Sequence, residues 1–304
     1  MDVSSIEYLS FEGGGLTGRR YMGAITALRF HLNDGWESWW NGIKGVSGTS
    51  IGGFAALIMV LNLNYEQMMK IFMETAERDN WIKHPDIGLA VKNFGIDAGH
   101  GIRATVKLIL ETGGLSQNAS IEDLCRLTRK DVLFVSTDMR TGKQFYISQQ
   151  NAANMLVTDA LYASACLPGV YVPFQFQNKI LIDGCMSENR PNVFPKDRTL
   201  FFLISHPNDM HMLLPRPTNA IDYVSQLIRC TVNSQNKQFL HDDPSYIYCA
   251  PCGKIDTSFS FETSSDKDLD VLLKESYAVS LNHLKNGVMY DVIASIVISM
   301  VKTE

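Results

Sequence analysis

The chain has 304 residues, a net charge of −5 and a hydrophobic share of 45 %. That length suits one large α/β domain or two smaller ones, and the share is enough for a substantial core. An acidic balance with no basic run excludes the footprint of a nucleic-acid binder and of a polybasic lipid anchor, so any membrane contact must be local and apolar.

Met1-Asp2-Val3-Ser4-Ser5 has no basic n-region, which predicts no secretory signal and a cytoplasmic protein. Ile6 to Phe11 reads as a strand running into Gly13-Gly14-Gly15. Arg19 to His31 has helical spacing, with Met22, Ile25, Leu28 and Leu32 as the expected buried stripe. Ile43 to Ser47 reads as a strand, and Phe54 to Leu61 as the helix behind a turn. Tyr65 to Glu77 and Gly101 to Glu111 are predicted helices, joined by a loop containing Pro85, Gly88 and Gly95. Ser120-Ile121-Glu122-Asp123 resembles a capping box. Asp131 to Thr137 and Lys143 to Ser148 form an expected hairpin, turned at Thr141-Gly142. Asn151 to Ala165 is predicted as one helix. Lys179 to Asp183 and Thr199 to Ser205 are strands, and Ile221 to Val232 and Asp268 to Leu284 are helices. Pro244 to Phe261 is expected to be extended.

The longest apolar stretches, Phe54 to Leu63 and Val292 to Val301, are too short to cross a bilayer. Six cysteines are scattered without a disulfide pattern, and Cys249-Ala250-Pro251-Cys252 lacks the further ligands a metal site requires. No cofactor or metal is expected.

Three segments carry chemistry. Gly48-Thr49-Ser50-Ile51-Gly52 lies between a strand and a helix, the setting of a nucleophile elbow. A serine on so tight a turn crowds its neighbours two places away, so Gly48 and Gly52 must lack a β carbon. Gly13, Gly15 and Gly18 fit a dinucleotide loop, but the next strand ends in Ser50 rather than in an acidic residue. The same backbone amides can instead meet a developing oxyanion. Ile180-Leu181-Ile182 leads into Asp183-Gly184, a carboxylate at a strand end followed by a turn glycine. By chain order, His241 and His283 are the alternative bases for Ser50.

The glycine loop, the elbow and the strand-Asp-Gly segment resemble, in order and spacing, the patatin-like phospholipase family. So does Ala163-Ser164-Ala165-Cys166-Leu167-Pro168, which is similar to the family's Ala-Ser-x-x-x-Pro. The motifs run from Glu12 to Gly184. The resemblance implies a three-layer α/β/α fold with a mostly parallel central sheet, taken as one domain over residues 1–304. It implies Ser50 as nucleophile, Asp183 as base without histidine, and an oxyanion hole from Gly13, Gly14 and Gly15. Gly18, Gly48, Gly52 and Gly184 would support these motifs. The implied activity is phospholipase A type hydrolysis of acyl esters, independent of calcium. The implied partner is phospholipid or another acyl-ester lipid at a membrane or aggregate surface. The rival readings are a His-dependent α/β-hydrolase esterase and a catalytically silent lipid-binding protein.

Glu12 stands where the family has Asp, Thr17 where it has Lys or Arg (Arg19 being the candidate to supply that charge), and Cys185 where it has Gly or Ala. An Asp with an ordinary pKa near 4 is a weak base for serine, so its surroundings must raise that value or favour transfer in the transition state. Expected membrane contacts are the loop from Trp81 to Phe94, with Ile82, Ile87 and Leu89, and the segment Met210 to Leu214.

Overall fold

A computed structural model describes residues 3–77, 86–204, 216–217, 220–239, 246–249 and 266–286. His84, His206, His211, His241, Trp81, Ile82, Met210 to Leu214, Cys252 and the apolar stretch 292–301 lie outside those residues.

The strands are β1 (Tyr8–Phe11), β2 (Gly45–Thr49), β3 (Gly95–Asp97), β4 (Asp131–Asp138), β5 (Lys143–Ile147), β6 (Gly169–Tyr171), β7 (Phe174–Phe176), β8 (Lys179–Asp183), β9 (Thr199–Leu203) and β10 (Tyr246–Tyr248). Eight of them form one sheet in the order β10-β9-β1-β2-β4-β8-β7, with β5 also on β4. From β10 to β4 the neighbours are parallel, whereas β5 and β8 run antiparallel to β4 and β7 antiparallel to β8. β3 and β6 form a separate parallel pair.

The helices are α1 (Tyr21–Leu32), α2 (Trp36–Gly42), α3 (Ile51–Val60), α4 (Tyr65–Glu77), α5 (Ile87–Asn93), α6 (His100–Thr112), α7 (Ile121–Thr128), α8 (Gln149–Ala152), α9 (Val157–Ala165), α10 (Ala220–Phe239) and α11 (Asp266–Asn286). They cover both sides of the sheet, giving an α/β fold with a mostly parallel centre. Every residue of β2 and β9 is buried, as a strand covered on both faces requires. Among the described residues, no helix is long and apolar enough to cross a membrane.

Local sequence accounts for most boundaries. Met22, Ile25 and Leu28 of α1 are buried, and Leu32 packs at the core edge. Ser120 and Asp123 close the capping box of α7. The helix expected over 151–165 is instead two, α8 and α9. Leu156 between them is extended (φ −63°, ψ 140°), and Val157 donates its N–H to the Ala119 carbonyl, so the chain is drawn away from helical pairing. The expected loop after α4 contains α5 and β3. The Asp86 side chain caps α5, and Phe94 ends it in the left-handed region at φ 66°.

One strand places the site. Thr49 of β2 pairs with Val135 of β4, and Asp183 of β8 pairs with the next residue, Ser136. β5 occupies the opposite edge of β4 along residues 134–138. β2 and β8 therefore share one edge and meet end to end.

Candidate active site

β2 ends at Thr49 and α3 starts at Ile51, leaving Ser50 alone at the turn with φ 53° and ψ −124°. That conformation is strained for a residue with a β carbon and persists only where the surroundings fix it. Here they do. A β carbon on Gly48 would lie 2.2 Å from the Gly52 carbonyl oxygen, and one on Gly52 would lie 2.4 Å from that of Phe11. The Ser50 N–H donates to Ser164 Oγ at 3.0 Å, and Ser164 donates onward to the Val135 carbonyl at 2.6 Å.

The Ser50 hydroxyl donates to Asp183 Oδ2 at 2.7 Å, across 133 positions of sequence. Asp183 Oδ1 accepts the Cys185 N–H at 2.9 Å. Its backbone is fastened too. The Asp183 N–H donates to the Cys166 carbonyl at 3.0 Å, and its carbonyl accepts Thr137 Oγ1 at 2.9 Å. A β carbon on Gly184 would lie 2.3 Å from the Val135 carbonyl oxygen. Burial raises the Asp183 pKa to about 6, outweighing the lowering effect of the hydrogen bonds from Cys185 and Ser50.

The glycine loop lies on the elbow because β1 and β2 pair with Phe11 opposite Gly48. Gly18 packs directly on the side chain of Ile51, where a β carbon would come within 2.2 Å. Gly15 holds φ 56° and opens a short 3-10 turn through Arg20. Gly13, one of the three expected oxyanion donors, has its N–H engaged within the fold. The Gly13 N–H already donates to the Asn189 carbonyl at 2.9 Å, because the chain after Asp183 folds back over the loop. Asn189 Nδ2 also donates to the Gly13 carbonyl at 3.2 Å and to Glu12 Oε1 at 3.1 Å.

Glu12 is fully enclosed. Its Oε1 accepts Arg190 Nε at 3.0 Å, and its Oε2 accepts the Ile204 N–H at 2.8 Å. Arg19 sits over the Phe72 ring at 5.8 Å from its centroid. His283 of α11 is buried against the Tyr246 ring, and burial pushes its pKa down to about 4. The hydroxyl partner of Ser50 is Asp183.

The sequence by itself assigns no role to Ser164, Thr137, Asn189 or Arg190. Ser164 alone had a signal, as the serine of the Ala-Ser-x-x-x-Pro segment. The others act through contacts between distant segments.

The sequence profile described as Patatin-like phospholipase matches residues 9–192, more than half of the chain. The chain belongs to the patatin-like phospholipase family. Within this patatin-like phospholipase, the matched span runs from β1 past Arg190 and so contains the loop, the elbow and Asp183. Uncharacterized protein R571 of Acanthamoeba polyphaga mimivirus is 22 % identical over 192 residues, 62 % of this chain and 61 % of the viral protein. The alignment thus spans about three fifths of that relative's length. VipD from Legionella pneumophila matches in structure with a TM-score of 0.56 at 12 % identity, covering 93 % of this chain and 67 % of VipD. That likeness shows a shared fold alone. ExoU of Pseudomonas aeruginosa, solved in complex with SpcU, reaches 0.46 at 14 % identity over 94 % of this chain and 53 % of ExoU.

Proposed function

We propose that this protein is a serine lipid acyl hydrolase of phospholipase A type, with Ser50 as nucleophile and Asp183 as its base. The observation that carries the reading is the 2.7 Å hydrogen bond from the Ser50 hydroxyl to a buried carboxylate. A binding module has no use for a strained serine aimed at a desolvated base.

In the first step Ser50 Oγ bonds to the ester carbonyl carbon as its proton passes to Asp183. The oxyanion so formed is met by backbone N–H groups. That donation is assigned to the glycine loop, where Gly14 and Gly15 stand at the head of the 3-10 turn. One such donor is worth about 3 kcal/mol of transition-state stabilisation. The ester C–O bond then breaks, and Asp183 returns the proton to the leaving alcohol oxygen. Water attacks the acyl-Ser50 ester, giving its proton to Asp183, and the free acid leaves as Ser50 Oγ takes that proton back. Ser50, Asp183, the leaving alcohol and one water carry every proton of this reaction sequence, and turnover is expected to persist in EDTA.

The substrate class follows from the family, and exposed apolar side chains on the segment leading into β3 accord with it. Val91 of α5 and Phe94 just beyond it are 78 % and 72 % exposed. They lead into β3, which pairs with β6, three residues past the Cys166 carbonyl that holds Asp183. A phospholipid or other acyl ester in a membrane or aggregate fits that arrangement. The test is hydrolysis of a phospholipid vesicle and of a soluble short-chain ester by wild type, Ser50→Ala and Asp183→Asn. Both variants are expected to lose about 10,000-fold or more in kcat on both substrates, roughly the loss seen when a nucleophile or its acidic partner is removed. A folded Ser50→Ala protein within about tenfold of wild type overturns the assignment.

A further inference from the structure

Downstream of Asp183 the chain makes a short 3-10 turn, Gly184–Met186, and returns across the site to Arg190. This return segment touches both other motifs. The Glu188 carbonyl accepts Thr49 Oγ1 at 2.8 Å, one residue before Ser50. The Asn189 carbonyl accepts the Gly13 N–H at 2.9 Å, while its side-chain amide reaches the Gly13 carbonyl and Glu12. Whatever holds Glu188 and Asn189 therefore holds the elbow, the glycine loop and the base together.

From the outer side, one residue of α10 does so. Gln235 Oε1 accepts the Asn189 N–H at 2.9 Å. Its Nε2 donates to the carbonyls of Cys185 at 3.1 Å and Met186 at 3.2 Å. Both amide hydrogens and the oxygen are engaged, a pattern that needs an acceptor and a double donor on one planar group. Glutamate could accept from Asn189 but would face two carbonyl oxygens. Leucine would leave an N–H and two carbonyls without their partner. Gln235 follows Ile228 and Val232 at helical spacing; those two are buried, whereas Tyr223 and Leu227 of the same helix are 56 % and 51 % exposed.

We infer that Gln235 is a positioning residue for acyl transfer: acting through Asn189, it keeps the glycine loop and the Asp183 turn in register with Ser50, so the seating of α10 governs the chemical step. The inference rests on the reading of Ser50 and Asp183 given above.

The experiment compares wild type, Ser50→Ala, Gln235→Leu, Gln235→Glu and Tyr223→Ser on a soluble short-chain ester. Rates are expressed per Ser50 labelled by a fluorophosphonate, so that unfolded protein is not counted; Ser50→Ala is read per folded protein. Gln235→Leu should lower kcat about 30- to 100-fold with KM within about threefold, the size of effect expected when reacting groups drift by about an ångström. Tyr223→Ser, on the outward face, should match wild type. Gln235→Glu should be impaired relative to wild type at pH 8, and the ratio should recover as pH falls to about 4, where a protonated carboxyl can donate to one of the two carbonyls. A kcat for Gln235→Leu within threefold of wild type, with Ser50→Ala inactive, overturns the inference and leaves the dyad standing. An active Ser50→Ala overturns the dyad instead. If Gln235→Leu does not fold, the pH dependence of Gln235→Glu relative to wild type decides alone: a flat ratio rejects the positioning role.

Discussion

The hydroxyl of Ser164 lies 3.0 Å from the amide nitrogen of Ser50 and accepts its hydrogen bond, so a residue of α9 holds the backbone of the proposed nucleophile. Both residues are buried, and the same hydroxyl donates to the Val135 carbonyl. Ser164→Ala leaves a buried N–H and a buried carbonyl unpaired, a loss of about 1 to 3 kcal/mol. Denaturant titration should show that loss, and kcat should fall by about tenfold or more with little change in KM. A fall confined to stability would mark Ser164 as packing alone.

The acid limb of activity should report Asp183. The carboxylate form is the base, and burial has raised its pKa to about 6. The kcat/KM profile of the free enzyme should therefore fall with a single-proton slope as pH drops through about 6. An acid limb at the ordinary carboxylate value near 4 would contradict a desolvated base.

The same shift bears on stability with a definite sign. Folded Asp183 holds its proton up to about pH 6, whereas the unfolded chain releases it near the ordinary value of 3.8. Stability is fully present below about pH 4 and is lost as pH rises through 6, by up to about 3 kcal/mol. Asp183→Asn escapes that loss: its oxygen can accept the Cys185 N–H while its NH2 donates to Ser50 Oγ. Thermal denaturation should show the inactive variant more stable than wild type at pH 7.5 and no more stable at pH 4. A variant no more stable at either pH would count against the buried charge.

Glycine substitutions should divide sharply by what their β carbons meet. Gly52→Ala places a carbon 2.4 Å and 2.5 Å from the carbonyl oxygens of Phe11 and Glu12, against backbone that cannot turn aside. It should cost about 3 kcal/mol or more and abolish activity, in the range of overpacking a well-filled site. Gly35 has φ −78° and open space around it, so Gly35→Ala should be neutral or stabilise by up to about 1 kcal/mol. Comparing Tm and turnover for the two variants checks both.

Elements whose pattern is local were legible in the sequence. Tyr65 to Glu77 keeps its expected bounds because apolar side chains recur on one helical face, and β9 starts where expected, at Thr199, because an interior strand is nearly all apolar. The Trp36–Gly42 helix went unread: its apolar signal is a pair of tryptophans four apart, Trp36 and Trp40, stacked on each other in the core. β3 and β6 have three residues each, too short to show a period. Ser50 and Asp183 stand out because each lies at the end of a strand within two residues of a glycine whose absent side chain has a steric reason. Asn189 and Gln235 do not, since their significance lies in hydrogen bonds to segments 46 to 177 positions away. Glu12 looked like a simple departure from the family's Asp. In the fold it closes an ion pair with Arg190 that is 0 % and 3 % exposed.

Thr49 and Asp183 occupy consecutive rungs on β4, which sets the spacing of the two reacting groups by the rise of a strand, about 3.3 Å per residue. Loop length does not enter that distance. The turn at Thr141-Gly142, or the connection from Phe176 to Lys179, can lengthen or shorten in related proteins while Ser50 and Asp183 stay within reach. Deleting a single residue inside β4 has the opposite effect, because it turns one partner to the far face of the sheet. Divergence in this chain should therefore collect in the connections and spare β4, including those of its residues that touch no substrate.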